Sequence, residues 1–208
     1  MNQEILKSTN TYYTKKIEEF GRTSRGVDWN STESQRLRFE QITKILSGEV
    51  NNSFSICDYG CGYGYLSEYL EERGYCCQYY GMDISEKMIA AAKEAYTDKK
   101  NRCFINSAEL IEKYDYIVAS GIFNVRQKTD DKEWAAYMLE VITQFNEHSQ
   151  KGFSFNCLTK YSDADYMKDY LYYADPLFYF DYCKKNFSRN VALLHDYDLY
   201  EFTIIVRK

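Results

Sequence analysis

The feature that most constrains this chain is a glycine-rich turn between an apolar run and an amphipathic segment. Residues 54–57 read FSIC, residues 58–64 read DYGCGYG, and residues 66–70 begin a helical pattern. Alternating glycines permit a tight turn, and because they lack a Cβ they let a ligand lie against backbone amides at a helix start. The order strand, glycine-rich turn, helix therefore predicts a ligand site in an open α/β sheet.

The glycine spacing and the acid before it indicate which ligand the turn accepts. A dinucleotide-binding turn has the pattern G-x-G-x-x-G because it must hold a pyrophosphate. Here Gly60, Gly62 and Gly64 alternate with single residues, and Asp58 precedes them. A carboxylate at this position repels phosphate but can accept a hydrogen bond from an ammonium group. The turn therefore predicts a cationic, phosphate-free ligand and disfavours a nicotinamide-dependent dehydrogenase.

This pattern resembles the first motif of the class I S-adenosylmethionine-dependent methyltransferases. Further matches follow in order over about residues 54–155: residues 79–85 resemble the second strand of that family, 103–105 the third and 114–121 the fourth. The resemblance implies that S-adenosylmethionine is the cofactor and S-adenosylhomocysteine the product.

The resemblance also implies how the cofactor is held. Asp83 ends the second strand about 20 residues beyond the turn, where an acid binds the ribose hydroxyls. The polar residues after the third strand would contact the adenine through a side chain and the next backbone amide. The predicted cofactor residues of the core are Asp58, Gly60, Cys61, Gly62, Gly64, Asp83, Ile84, Ser107, Ala108 and Ser120.

The N-terminal region adds a candidate anion-binding group. Gln35, Arg38, Ile42 and Ile45 share one face of a predicted helix over residues 32–46. The apolar half of this face must point inward, so the polar half is also drawn inside, where a guanidinium needs an anion. The methionine carboxylate of S-adenosylmethionine would serve, and related small-molecule methyltransferases use an arginine upstream of the turn in this way.

Two plainer interpretations of these residues stay open. Thr32 and Gln35 have the spacing of an ordinary capping box at a helix N-terminus. Arg38 could instead pair with Glu33 or Glu40 in solvent. These alternatives give the helix a structural role only.

Aromatic residues of the N-terminal region are further candidates. A sulfonium is a soft cation, and aromatic faces attract cations more strongly when water is excluded. Tyr13 and Trp29, with Tyr12 beside them, could supply such a face if this arm folds over the turn. The alternative for Trp29 is that it only anchors its loop to the core.

The catalytic candidates are His195 and Asn124. His195 closes a predicted strand beside Asp196 and could act as a general base, or it could be an exposed turn histidine capped by that acid. Asn124 follows the fourth strand, where open α/β sheets bind ligands. By the same argument, the other positions predicted to face the acceptor are Ser120, Phe123, Thr159, Lys160 and Tyr161. Two aromatic residues farther along the chain could cover the pocket, Tyr172 and Tyr173.

The alternation of patterns predicts an α/β fold with a Rossmann-like, doubly wound sheet. The resemblance implies that the sheet has seven mainly parallel strands with a C-terminal antiparallel hairpin. A helical arm precedes the sheet. At 208 residues one domain is expected, with an arm over 1–50, a cofactor-binding core over 51–157, and a lid with closing strands over 158–208. The predicted elements are a helix over 2–20, three strand–helix units, a helix over 131–148, strands at 151–157, 190–195 and 200–206, and one or two short helices within 161–187.

Charge and cysteine content narrow the class of protein. The formal net charge of −5 argues against a phosphate-backbone binder, so we expect no nucleic-acid partner. Seven cysteines without a C-x-x-C pair, and only two histidines, predict no disulfide framework and no metal site, which favours a cytoplasmic protein with reduced thiols. No apolar run approaches the ~20 residues of a membrane span, so no membrane partner is expected.

These observations predict a methyltransferase that acts on a hydroxyl or amine of a small metabolite. An N-P-P-Y type signature after the fourth strand would suit an acceptor that is the amine of a base or an amide side chain. Residues 120–123 read SGIF instead, which disfavours such an acceptor. The 22 tyrosines and 12 phenylalanines suit a pocket for a sugar, a nucleotide-linked sugar or an aromatic ring. The alternatives are an RNA or protein methyltransferase of the same fold and a non-catalytic scaffold protein. A monomer or a homodimer is expected.

Overall fold

A computed structural model describes residues 2–208 and contains one seven-stranded sheet with helices on both faces. The strands are β1 Ser53–Tyr59, β2 Cys76–Asp83, β3 Arg102–Asn106, β4 Tyr114–Ala119, β5 Ser149–Leu158, β6 Asn190–Leu194 and β7 Glu201–Arg207. The helices are α1 Gln3–Phe20, α2 Thr32–Thr43, α3 Tyr65–Glu72, α4 Glu86–Ala95, α5 Asp131–His148 and α6 Pro176–Asn186. Short 3₁₀ turns lie at Ser24–Val27, Lys44–Leu46 and Ala164–Tyr166.

The strand order is β3-β2-β1-β4-β5-β7-β6. The first five strands of this order are parallel, whereas β7 is antiparallel to both β5 and β6. The predicted doubly wound sheet with a C-terminal antiparallel hairpin is therefore confirmed. The chain reverses its direction of winding between β1 and β4, which opens a crevice beyond the carboxyl ends of these strands.

Both faces of the sheet are buried, which explains why its strands are apolar along most of their length. Consecutive residues point to opposite faces: Ile117 packs with α5 and Ile204, whereas Val118 packs with α2, α3 and Ile205. Trp134 of α5, fully buried, belongs to the first of these two cores. The two cores hold the sheet edge that carries the crevice in a defined position.

Most predicted elements are present, with two differences. The third strand is followed by a loop, because residues 107–113 contain no helix. The cap of α2 is Ser31, whose hydroxyl accepts from the Ser34 amide at 3.1 Å, so the capping box that begins at Thr32 was wrong. The one or two short helices predicted within 161–187 are confirmed, as one 3₁₀ turn and one 11-residue helix. Within the described residues, no helix is long and apolar enough to cross a membrane.

The N-terminal helix lies against the carboxyl edge of the sheet. Its Thr14 hydroxyl is 2.8 Å from that of Ser85, which follows β2. On the same helix, Tyr12 donates to Asp28 at 2.6 Å, and Lys16 pairs with the same carboxylate at 2.7 Å. These contacts tie α1 to the loop after it and place both over the crevice. Met1 lies outside the described residues, and the division of the chain at residues 50 and 157 stays a prediction.

Candidate active site

One pocket occupies the crevice at the carboxyl ends of β1, β2 and β4, with α1 and the following loop over it. It is lined by Leu6, Thr9, Tyr13, Val27, Trp29, Gln35, Phe39, Asp58, Tyr59, Gly60, Cys61, Gly62, Met82, Asp83, Ile84, Met88, Ser107, Ser120, Gly121, Ile122 and Tyr137. Most of the residues predicted to bind the cofactor are brought together here. Gly64, Ala108 and Arg38, and the catalytic candidates His195 and Asn124, are outside this lining.

The glycine turn forms the floor of the pocket. The amides of Gly60 and Cys61 both donate to the Met82 carbonyl, at 2.7 and 2.9 Å, which folds the turn back onto β2. Gly60 and Gly62 have φ values of 80° and 55°, a region that favours glycine. A Cβ on Gly62 would lie 2.7 Å from Val27 Cγ1, so a larger residue would push the N-terminal loop out of place.

Gly64 serves packing and does not face the pocket. Its φ is 82°, and a Cβ there would lie 2.7 Å from the Phe104 ring, in the core beneath the turn. The third glycine therefore lets α3 start close to β3. Its predicted contact with the cofactor stays a prediction that this position does not favour.

Asp58, the residue before the last of β1, is a buried carboxylate, 3% exposed, in the pocket lining. The Tyr79 hydroxyl donates to its Oδ2 at 2.5 Å. Burial raises the pKa of Asp58 to about 7, and the nearby Asp83 charge adds to this, although the Tyr79 hydrogen bond opposes both. Asp58 therefore titrates near neutral pH, and a bound ammonium group would stabilise its ionised form.

Asp83 ends β2 and is held by two backbone amides. Its Oδ2 accepts from Gly62 at 2.9 Å and its Oδ1 from Ser85 at 2.8 Å. Burial raises its pKa, while these hydrogen bonds act in the opposite direction. The carboxylate is thus oriented by the glycine turn itself. Ile84 follows it in the pocket lining.

The loop after β3 closes this side of the pocket. The Ser107 amide donates to the Asp83 carbonyl at 3.1 Å, which brings Ser107 into the lining. Ala108 stays outside the lining, and its carbonyl accepts from the Tyr59 hydroxyl at 2.7 Å. Ser107 therefore lines the pocket, and its contact with the adenine stays a prediction. Ala108 holds Tyr59, which itself lines the pocket.

Three residues of the N-terminal region line the opposite wall as predicted: Tyr13, Trp29 and Gln35. Gln35 is buried, and its Oε1 accepts from the Tyr63 hydroxyl at 3.3 Å. Burial raises the pKa of Tyr13, and the carboxylates of Asp28 and Asp83 raise it further. The Tyr13 hydroxyl therefore stays protonated, so it can donate a hydrogen bond but cannot act as a base.

Arg38 has the buried position that its helical spacing predicted, at 8% exposure, but its anion is a residue of this chain. Its Nε and Nη2 donate to Glu201 at 2.9 and 2.7 Å. The solvent pairing with Glu33 or Glu40 was therefore wrong. Glu201 supplies the anion that the buried guanidinium needs, so Arg38 does not require the methionine carboxylate of the cofactor. Binding of that carboxylate by Arg38 stays a prediction without support from its position.

The two catalytic candidates are also placed apart from the pocket. His195 is exposed and directly follows β6, the outermost strand of the sheet. Its ring centroid lies 6.0 Å from that of Tyr161 and 6.4 Å from that of Phe202. Asn124 is buried, and its Oδ1 accepts from the Leu158 amide at 3.1 Å. The first position fits the exposed turn histidine, and the second fits a structural joint between the ends of β4 and β5. Their catalytic roles stay predictions.

Of the other positions predicted to face the acceptor, only Ser120 lies in the lining. Phe123 is fully buried against Phe155, with centroids 5.6 Å apart. The remaining predicted residues belong to the segment after β5, where they pair with one another or with neighbouring chain. In this segment Thr159 is buried, Lys160 pairs with Asp175, Tyr161 is exposed, Tyr172 contacts Tyr179, and Tyr173 accepts from the Lys168 amide.

The sequence argument missed part of the lining. The missed residues are Leu6, Thr9, Val27, Phe39, Tyr59, Met82, Met88, Gly121, Ile122 and Tyr137. Leu6, Thr9 and Tyr13 recur at positions i, i+3 and i+7, so the helical period of α1 was a usable signal. Tyr137 had no separate signal, because it lies among the apolar residues of α5 that the same period assigns to the core.

Comparisons with known proteins agree with this site. A family model described as a methyltransferase domain matches residues 57–148. A protein of Mycobacterium tuberculosis named "Putative methyltransferase" is 54% identical over 155 residues, which cover 74% of this chain and 93% of that protein. The malonyl-[acyl-carrier protein] O-methyltransferase of Acetivibrio thermocellus is 26% identical over 107 residues, which cover 50% of this chain and 38% of that enzyme.

Solved structures share the fold. Magnesium protoporphyrin IX methyltransferase from Synechocystis PCC 6803 with bound S-adenosylhomocysteine has a TM-score of 0.65 at 19% identity, covering 96% of this chain and 100% of that one. A DhpI-SAM-HEP complex has a TM-score of 0.67 at 13% identity and full coverage of both chains. At these identities the likeness concerns the fold, while the M. tuberculosis relative identifies the family. The chain belongs to the class I S-adenosylmethionine-dependent methyltransferases, whose cofactor is S-adenosylmethionine.

Proposed function

We propose that this protein transfers the methyl group of S-adenosylmethionine to a hydroxyl or amine of a small metabolite. The observation that carries the proposal is the meeting of Asp58, Asp83 and Ser107 with Trp29 and Gln35 around one glycine turn. A scaffold protein that merely kept the fold would not need two acids, the buried Asp58 and the half-buried Asp83, in the same pocket as an aromatic wall.

The proposed roles follow from the chemistry of each group. The Asp83 carboxylate accepts hydrogen bonds from the ribose hydroxyls, and Asp58 accepts from the ammonium group of the methionine part. When bound, the cofactor supplies an electrophilic methyl group on a sulfonium. Methyl transfer is an in-line displacement that depends mainly on alignment and the exclusion of water. The face of Tyr13 attracts the sulfonium. Trp29, whose ring already has the Arg38 guanidinium over one face, keeps water away from it.

A small acceptor fits the way the pocket is covered. Helix α1 and the loop that contains Trp29 lie over the crevice, and Tyr12, Asp28 and Lys16 tie them together. A macromolecular acceptor would need an extended groove beside the cofactor, and the net charge of −5 disfavours RNA. The Synechocystis neighbour, magnesium protoporphyrin IX methyltransferase, is compatible with a small-molecule acceptor. A sugar, a nucleotide-linked sugar or an aromatic ring all stay within the proposal.

Calorimetric titration tests the cofactor half of this proposal. We expect S-adenosylmethionine and S-adenosylhomocysteine to bind, and NAD, the control, not to bind. Absence of binding by both cofactor forms would contradict the proposal. If they bind, a panel of hydroxyl- and amine-bearing metabolites should be screened for formation of S-adenosylhomocysteine, with heat-denatured protein as the blank.

A further inference from the structure

We infer that five residues, the half-buried Trp29 and the buried Arg38, Gly121, Asn156 and Glu201, form a closed network that positions the β4 side of the cofactor pocket. We call it the Arg38–Glu201 network. Only Trp29 and Gly121 line the pocket, so Arg38, Asn156 and Glu201 are positioning residues that act through them. The inference rests on the proposed function, because it assigns these residues a role in holding S-adenosylmethionine.

An ion pair forms the first half of the network. Glu201 is the first residue of β7 and is 1% exposed, so its charge needs a partner. Arg38 donates from Nε to both of its carboxylate oxygens, at 2.9 and 3.0 Å, and from Nη2 to Oε1 at 2.7 Å. Its Nη1 donates to the Ser34 carbonyl at 2.8 Å. The guanidinium is therefore held in one orientation between α2 and the sheet.

A side-chain amide carries the network from Glu201 to the end of β4. Asn156 is fully buried in β5, and its Nδ2 donates to Glu201 Oε2 at 2.8 Å. Its Oδ1 accepts from the Gly121 amide at 2.7 Å. Gly121 follows β4 with φ at 76°, outside the sheet ladder, so this hydrogen bond fixes a backbone segment that the sheet does not hold.

The Trp29 ring closes the network. The Arg38 guanidinium lies over this ring, 3.9 Å from its centroid. The edge of the same ring lies against Gly121 so closely that any Cβ there would collide with it. Trp29 is thus held between the guanidinium on one side and the Gly121 backbone on the other. Moving any one of the five residues would release the ring.

The position of the network in the sheet indicates which part of the cofactor it affects. Strands β2 and β3 lie on one side of β1 and carry Asp83 and the loop with Ser107. Strands β4, β5 and β7 lie on the other side and carry Gly121, Asn156 and Glu201. Because the first side receives the adenosine, the second receives the methionine and sulfonium. We therefore assign the network to the end of the cofactor where the methyl group leaves.

The variant Glu201→Gln tests this assignment. It keeps the shape of the side chain but removes the negative charge that holds Arg38. The new amide NH₂ group also faces groups that themselves donate, from Arg38 and Asn156. We expect the affinity for S-adenosylhomocysteine to fall about tenfold, the order expected when a hydrogen bond to a charged group is lost. We expect the affinity for adenosine, which lacks the amino-acid part, to stay unchanged. Calorimetry measures both ligands.

The matched control is Glu49→Gln. Glu49 is also a buried glutamate, and it accepts from the Tyr116 hydroxyl at 2.7 Å and pairs with Lys151 at 3.1 Å. It contacts the beginnings of β4 and β5, at the sheet edge opposite the pocket. We expect it to lower the melting temperature without changing the ratio of the two affinities. A purely structural role for Glu201 would produce the same pattern as this control.

A spectroscopic signal tests the network without any ligand. The chain has two tryptophans, so the Trp134→Phe variant leaves Trp29 as the sole source of tryptophan emission. In this background we expect Glu201→Gln to raise the quenching of Trp29 by acrylamide, while Glu49→Gln leaves it unchanged. If Glu201→Gln does not fold, Arg38→Lys replaces it, because it keeps a positive charge but loses the planar contact with the ring.

The outcomes separate this inference from the proposed function. Failure of the wild-type protein to bind S-adenosylhomocysteine would overturn the proposed function, and with it the role assigned to the network. Binding by the wild type, with Glu201→Gln matching Glu49→Gln in affinity ratio and in quenching, would overturn the network alone. Selective loss of S-adenosylhomocysteine affinity together with increased quenching would support both.

Discussion

The two sides of the cofactor pocket are built in different ways. On the β2 side, Asp83 is oriented by amides of the glycine turn and of Ser85, and the turn itself folds onto Met82. These groups lie within a single strand–turn–helix–strand unit. On the β4 side, Arg38 and Glu201 meet although 163 positions separate them. One side is a local motif, and the other exists only in the folded sheet.

This contrast explains why the β2 side was easier to predict from the sequence than the β4 side. Hydrogen bonds between backbone groups of one motif depend on glycines and on the acid, which are visible in the sequence. The Arg38–Glu201 network depends on the register between β5 and β7, which pairs Leu158 with Glu201. We therefore expect substitutions on the two sides to have separable effects on the adenosine and methionine parts of the cofactor.

The largest effect is expected for Gly121→Ala on the β4 side. The new Cβ would collide with the Trp29 ring and push it into the pocket. We expect the affinity for S-adenosylhomocysteine to fall by about 100-fold, because a steric collision of this kind costs about 1–3 kcal/mol and every 1.4 kcal/mol is about tenfold in affinity. Calorimetry measures the affinity, and thermal denaturation measures the stability.

The control for Gly121→Ala is Gly74→Ala. Gly74 has a φ of 78°, close to the 76° of Gly121, but a Cβ there meets nothing within 4 Å. Both variants carry the strain of an alanine with positive φ, about 1–2 kcal/mol. Equal affinity losses in the two variants would mean that strain, and not the contact with Trp29, governs the β4 side.

The next largest effect is expected for Asp83→Ala on the β2 side. This variant loses the proposed hydrogen bonds to the ribose and also frees the Gly62 amide. We expect the affinities for adenosine and for S-adenosylhomocysteine to fall together, by roughly tenfold or more. A loss confined to S-adenosylhomocysteine would show that the division of the pocket into two sides is wrong.

A smaller effect concerns Asp58, which lies between the two sides. Because its pKa is raised to about 7, Asp58 is protonated at acidic pH and ionised above neutrality. A ligand ammonium prefers the ionised form, so the affinity for S-adenosylhomocysteine should rise between about pH 5.5 and 7.5, by at most tenfold per pH unit. Calorimetry at a series of pH values measures this rise.

Two variants sharpen the assignment of this pH dependence. Tyr79→Phe removes the hydrogen bond that stabilises the ionised carboxylate, so the midpoint should move to higher pH. Asp58→Asn should make the affinity independent of pH over the same range. A rise that persists in Asp58→Asn would have to be assigned to a different group, and adenosine, which has no ammonium, serves as the control ligand.

The smallest effect is expected for His195→Ala. The side chain is exposed beyond the outermost strand and is not part of the pocket lining. We expect the affinity for S-adenosylhomocysteine to stay within about twofold of the wild type and the stability to change by less than about 0.5 kcal/mol. A large loss of methyl transfer with an unchanged cofactor affinity would restore His195 as a general base.

Much of the fold could be predicted, because its signals are local. The apolar face of α5, with Trp134, Met138 and Phe145, located that helix with the bounds that the structure has. The acid, glycines and second acid located β1, the turn and β2. The helix expected after β3 is absent because residues 107–113 turn directly into β4.

The site could be predicted where side chains act from the ends of strands, and less well elsewhere. Tyr13, Trp29 and Gln35 reach the pocket from an arm whose helical period was readable. The sequence could not show which acid pairs with Arg38, because the chain has 31 acidic residues and nothing local distinguishes Glu201 among them. Asn124 and His195 share the predicted edge of the sheet, but the strand order sets how far each lies from the pocket.

The sequence by itself determined the glycine turn, the two acids, the seven strands and the family to which this chain belongs. These features depend on backbone conformation and on alternation over a few residues, and such preferences act within short stretches of chain. The tertiary structure decided that Glu201 holds Arg38, that Asn156 holds Gly121 and that Trp29 closes the network. Buried charges and amides must find partners wherever the packed sheet brings them, and no local preference encodes that choice.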